Sequence, residues 1–230
     1  MKRYRWLTAE WPFSMRVLAK RLKENAFDNN SSDGFVLDRV RDDFLQARFV
    51  ERFEYDEQIA DPFGQELSFH RVDFKQCEFR ASTQMPGLEL VDAPRSPQTV
   101  VSRLAQLSDF SLAVSPISTN VLNWATAFQR EIQEIATVQS VQIGAVELVP
   151  GVVAKAVIRG EANVLEASNE LTRGRSHVLE RLLLVFGSSK RLRVTLTNVA
   201  SASVEGDTSE RILPALRNSI SSTLAGSSIS

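Results

Sequence analysis

The sequence predicts an α+β protein of two lobes, each a mainly antiparallel sheet covered by helices. Three observations predict it. Long runs alternate apolar and charged side chains at a period of two, as strands with one buried and one wet face do. Several segments carry apolar residues at helical spacing behind start signals such as Ser-Pro or a lone Ser or Thr. After Thr137 the texture changes, with aromatic residues thinning out and short β-branched runs punctuated by glycine. That change sets the expected division, an N-terminal lobe over 1–136 with a central strand meander and a C-terminal ββαββα-type lobe over 137–230.

Taken in order, Tyr4 to Trp11 reads as an opening strand. Ser14 to Glu24 reads as an amphipathic helix with Val17, Leu18 and Leu22 on one side. Asn25 to Gly34 is rich in Asn, Asp and Ser, which bond to nearby backbone and favour a loop. Phe35 to Ala81 is the meander. Ala47, Phe49, Phe53 and Tyr55 share one parity, with Arg48, Arg52, Glu54 and Asp56 on the other. Asp61, Pro62 and Gly64 supply turn chemistry before a second run. There His70, Val72 and Phe74 stand out of phase with Cys77, Phe79 and Ala81, so a bulge is expected near Lys75 and Gln76.

Leu88 to Val91 is a short strand. Ser96 and Pro97 begin a helix to about Leu107, with Pro97 at its first position. Phe110, Leu112 and Val114 alternate as a strand. Ser118 or Thr119 then caps a helix whose stripe is Val121, Leu122, Ala125, Phe128, Ile132 and Ile135. In the second half, Val138 to Leu148 and Val152 to Arg159 form a hairpin about Pro150 and Gly151. Glu161 to Leu171 is helical, with Val164, Leu165, Ala167, Ser168 and Leu171 near one face. The apolar run Val178 to Phe186 suits a helix end or a strand. The alternating Arg191 to Asn198 behind a Gly-Ser-Ser turn favours strand. A last helix starts near Thr208 or Ser209, and Ser221 to Ser230 is expected to fray.

Composition excludes more than it assigns. The net charge is -1, from 27 basic and 28 acidic residues, so no global field announces a polyanion or a membrane surface. Charge is uneven locally: +5 from Met1 to Asn25 and -7 from Ala26 to His70. Mutual neutralisation of the two segments is the expectation. A single cysteine, Cys77, rules out an intramolecular disulfide and a thiolate metal cluster, and it suits a reducing cytoplasm. No run approaches the roughly 20 apolar residues of a membrane-spanning helix, so no membrane partner is expected.

Catalytic patterns are sparse. Asp73-Phe74-Lys75, preceded by Asp61 and Glu66, has the acid and acid-x-Lys order of metal-dependent nucleases. In those, carboxylates hold Mg²⁺ and a lysine serves the attacking water. The same order is common on any solvated strand. His70 and His177 lack further His or Cys at ligand spacing, and no Gly-x-Ser-x-Gly elbow or phosphate-cradling glycine loop occurs. A second pattern is a pair of basic turns, Arg173 and Arg175 after a helix and Lys190, Arg191 and Arg193 about a hairpin. Converging, they would bind phosphate oxygens of a nucleic acid. The aromatics Trp6, Trp11, Trp124, Phe13, Phe27 and Phe35 crowd the first half, as core residues or interface anchors.

The sequence therefore favours a cytoplasmic, non-catalytic binding or adaptor protein, oligomeric or part of a larger assembly, with a protein partner or itself and no cofactor. A nucleic-acid-binding protein using the basic turns is the first alternative. A divergent metal-dependent nuclease is the second.

Overall fold

The computed structural model describes residues 1–92, 96–187, 192–206 and 210–227. Its elements in chain order are β1 (Lys2–Glu10), α1 (Met15–Glu24), β2 (Asp33–Val40), β3 (Phe44–Ala60), β4 (Glu66–Ser82) and β5 (Gly87–Val91). Next come α2 (Gln98–Leu107), β6 (Ala113–Pro116), α3 (Val121–Ile132), β7 (Thr137–Val149), β8 (Val152–Arg159) and α4 (Leu165–Thr172). β9 (Val178–Phe186), β10 (Leu192–Thr197), β11 (Ser201–Gly206) and α5 (Ile212–Ser227) complete the chain. With 48% strand in antiparallel ladders and 25% helix, the class is α+β, dominated by sheet.

Two compact units divide the residues, Ala9–Val114 in one and Met1–Thr8 with Ser115–Ser230 in the other. The division expected from the sequence lies at 136/137, whereas by contacts β1 and α3 group with the second half. β1 pairs antiparallel with β11, Lys2 opposite Val204. Trp6 meets Trp124 of α3 edge-on, with ring centroids 5.7 Å apart.

The unit Ala9–Val114 holds the strand order β2-β3-β4-β5. Leu45, Ala47, Phe49, Cys77, Phe79 and Ala81 share one face and are buried, because residues two apart on a strand point the same way. Over that face α1 lays Met15, Leu18, Ala19 and Leu22. The Ser14 side chain caps α1 by accepting from the Val17 amide. α2 starts one residue later than expected, with Pro97 as its N-cap.

In the other unit the order is β1-β11-β10-β9-β7-β8. α3 and α5 bury Trp124, Phe128, Ile132, Leu216 and Ile220. Asn120, one residue beyond the expected Thr119, caps α3 by accepting from the Leu122 and Asn123 amides. Leu122 and Ile135 lie exposed, and Trp124 and Ala127 complete the buried stripe instead. The ambiguous run 178–186 is strand β9 over its whole length. β11 is an additional strand: SASVEG has little β-propensity, yet it is paired on both sides, by β10 and β1. α4 buries Ser168 and Thr172 while Leu171 faces outward.

The serine-rich end does not fray where expected, because α5 continues to Ser227. Ser221, Ser222 and Thr223 return their hydroxyl protons to the carbonyls of Arg217 and Ser219. The expected helix start at Thr208 or Ser209 lies outside the described residues. Among the described residues no helix is long and apolar enough to cross a membrane.

Candidate functional site: the β3–β4 ribbon

β3 and β4 are each 17 residues long, far longer than their neighbours. Their ladder runs without interruption from Phe44 opposite Ser82 to Ala60 opposite Glu66. The expected bulge at Lys75 and Gln76 is therefore absent. The phase change in the sequence has another cause: over residues 66–76 no face of β4 is buried, so parity there answers to no core.

The sheet stops partway along these strands. β2 accompanies β3 only as far as Asp33 opposite Glu51, and β5 accompanies β4 only over Glu78 to Ala81. Residues 52–60 and 66–74 thus form a two-stranded ribbon with both outer edges unshared among the described strands, and the β4 edge stays unshared as far as Cys77. Nine residue pairs at about 3.4 Å each carry it roughly 30 Å. The turn is well built. Asp61 accepts from the amides of Phe63 and Gln65 at 2.8 Å, and Gly64 takes φ 84, where a glycine is at home.

Exposed on this ribbon are Phe53, Tyr55, Ile59, Phe63, Leu67, Phe69, Val72 and Phe74, from 37% for Phe53 to 95% for Phe63 at the tip. Phe53, Tyr55, Ile59, Leu67 and Phe69 share one face of the ribbon, Val72 and Phe74 lie on the other, and Phe63 is at the tip. With about 200 Å² for a whole aromatic side chain, the eight together leave on the order of 700 Å² of apolar surface open over both faces and the tip. The two strands of the ribbon continue into the four-stranded sheet, which anchors a hairpin that alone would be marginal in water.

The polar groups fasten the ribbon internally. Tyr55 donates to Asp73 at 2.9 Å, Arg71 donates to Glu57 at 2.8 Å, and Arg52 pairs with Glu54 at 2.6 Å. His70 lies 3.1 Å from Asp56, and Lys75 sits 4.2 Å above the Phe53 ring. The Asp73 carboxylate holds the Tyr55 phenol above its ordinary value, first through that hydrogen bond and then through its charge. Neutralisation of the acidic stretch is thus largely local. From the basic first segment Arg16 reaches Asp42 at 2.8 Å, short of the ribbon.

The nuclease pattern is dispersed. Asp73 and Lys75 share a strand face, but Asp73 and Glu66 are seven positions apart on one strand, about 24 Å. Asp61 is engaged by the turn. Among the described residues no three His, Cys, Asp or Glu side chains are placed to hold a metal ion.

Of the two basic turns, three residues are described. Arg173 and Arg175 precede β9, whereas Arg193 stands opposite Val185 near its far end, about 24 Å along the strand from Val178. Arg173 pairs with Glu170, and Arg175 donates to the Leu171 carbonyl at 2.9 Å. Lys190 and Arg191 lie outside the described residues.

One feature the sequence reading missed is a polar cleft of about 600 Å³ in the unit Ala9–Val114. Its two guanidiniums are already engaged, Arg21 by the Leu107 carbonyl and Asp109, and Arg103 by Asp33 and Gln106. The ribbon's separate standing was missed as well. The alternation was visible, but where β2 and β5 stop is set by pairing and not by any local pattern. The chain matches no protein-family model and no curated protein.

Proposed function

We propose that this chain is a non-catalytic binding or adaptor protein of the cytoplasm, acting as an oligomer or as a subunit of a larger assembly, with the β3–β4 ribbon as its contact surface. One observation carries the reading: eight large apolar side chains stand exposed on a ribbon whose two backbone edges are unshared among the described strands. Proteins that remain monomeric blunt such edges with charge, proline or cover. Here charge lies beside the aromatics without replacing them.

The test is to trim the ribbon. Arg52 and Phe74 stand opposite each other, so residues 53–73 can be replaced by Asn-Gly, a two-residue hairpin turn. Light scattering and pull-down are then compared for the native and trimmed chains, with thermal unfolding to verify the fold. The expected result is an oligomer, or a specific retained partner, that is lost on trimming. A monodisperse native monomer without a partner, or assembly untouched by trimming, would overturn the proposal.

A further inference from the structure

The two edges of the ribbon differ in charge. On β3, Glu51, Glu54, Asp56 and Glu57 stand against Arg52 alone. Along 66–76 of β4, Glu66 and Asp73 are balanced by Arg71 and Lys75. Two identical strands meeting edge to edge about a two-fold axis run antiparallel, each residue facing its own number reflected through a central residue. On β3, symmetric registers centred on Glu54, Tyr55, Asp56 or Glu57 each set carboxylates in opposition, a destabilising arrangement. On β4 the outcome is different.

The free length of β4, 66–77, has its midpoint between Arg71 and Val72. A register centred on Arg71 would oppose two guanidiniums. One centred on Val72 sets Arg71 opposite the second copy's Asp73, and Phe69 opposite its Lys75, each twice. His70 falls opposite Phe74 on the other face, also twice. Length and charge therefore select the same register.

We infer that the partner of the ribbon is a second copy of this chain, joined through the β4 edges in an antiparallel ladder centred on Val72. The ladder extends over about nine residues, from Ser68 to Gln76, before β5 takes over the edge at Glu78. Arg71 gives its Nε to Glu57 within its own ribbon, and its terminal nitrogens remain to reach across. The excess acid of β3 lies one strand back from the shared edge. This inference rests on the reading of the ribbon as the contact surface and adds the occupant and the register.

Cysteine cross-linking tests the register. Residues directly opposite in an antiparallel ladder have Cα atoms about 4.5–5.5 Å apart, within disulfide reach, whereas four positions of offset separate them by about 14 Å. Under mild oxidation Val72→Cys should link to itself in more than half of the chains. His70→Cys or Phe74→Cys alone should not, while the two mixed should. Gln58→Cys, on the far strand, is the unlinked control. All four positions lie on the exposed ribbon, and each variant is verified by thermal unfolding.

A charge swap gives a second measurement. Arg71→Asp alone should weaken self-association about tenfold or more, and adding Asp73→Arg should restore it to within about threefold, because the pair crosses the axis. Two results overturn the inference and leave the contact surface standing. One is an oligomer lost on trimming in which Val72→Cys fails to link. The other is a monomer that holds a different protein through the ribbon. A monomer without any partner overturns both readings.

Discussion

Cys77 shows how one position can be both reactive in kind and inert in place. Its side chain is buried in the unit Ala9–Val114, and burial, with smaller contributions from the charges of Asp92, Glu51 and Glu78, pushes the thiol up to about 12 from 9.0. The nucleophile is the thiolate, so at pH 8 alkylating reagents should leave folded Cys77 unmodified and label it at once in denaturant. The same shift fixes a pH dependence. Between pH 9 and 12 an unfolded chain releases a proton that the folded chain retains, so stability is intact below pH 9 and falls as pH rises through that window. Denaturation from pH 8 to 11 should show the native chain losing ground to Cys77→Ala as pH rises. Parallel curves would show that the thiol is not held protonated. A local accommodation of another kind occurs at Gly144, where a Cβ would fall 2.3 Å from the Glu180 carboxylate. Without it Glu180 approaches closely and accepts from Lys155 at 2.7 Å and Gln142 at 2.6 Å, which holds its carboxyl below the usual range.

Between elements, the contact of α3 with α5 rests on one buried polar pair within an apolar seam. The Trp124 indole donates to Ser219 Oγ at 3.0 Å, both residues being fully buried, and Ser219 donates onward to the Leu216 carbonyl. Ser219→Ala should cost about 1–3 kcal/mol by leaving the indole N–H without an acceptor. The double change with Trp124→Phe should lower stability by less than the sum of the two single changes, as coupled neighbours do. Denaturant unfolding of the four chains measures both, and strict additivity would show the pair to be uncoupled. Trp124 is legible in the sequence only as a large aromatic, and nothing local marks Ser219, within the expected last helix, as its partner. The helices themselves were legible, since an apolar face at 3.6-residue spacing is a local property. β9 was legible because a turn and an alternating strand follow it. β11 was not, because small polar residues become a central strand only once β1 and β10 are beside them. The expected bulge failed for a related reason: period-two reasoning assumes a buried face, and residues 66–76 have none.

For the molecule as a whole, alternation and charge placed attention on the meander, while only the pairing revealed that its outer half stands free of the sheet. Of the basic turns, Arg173 and Arg175 precede β9 while Arg193 stands opposite its far end, and Lys190 and Arg191 lie outside the described residues. What remains is an asymmetry between the two edges of one ribbon, and amide exchange can read it. On any edge strand every second amide points away from its neighbour and is open to water. At low concentration the outward amides of 53–60 and of 68–76 should exchange equally fast. As concentration rises into the self-associating range, those of 68–76 should slow by at least tenfold, while those of 53–60 stay fast, since the carboxylates of β3 keep that edge apart. Protection of the β3 edge, or of both edges together, would place the contact elsewhere and remove the register centred on Val72. The measurement also separates pairing from burial. A partner that merely covered the aromatics of one face would leave both sets of outward amides unpaired, and their rates would change together.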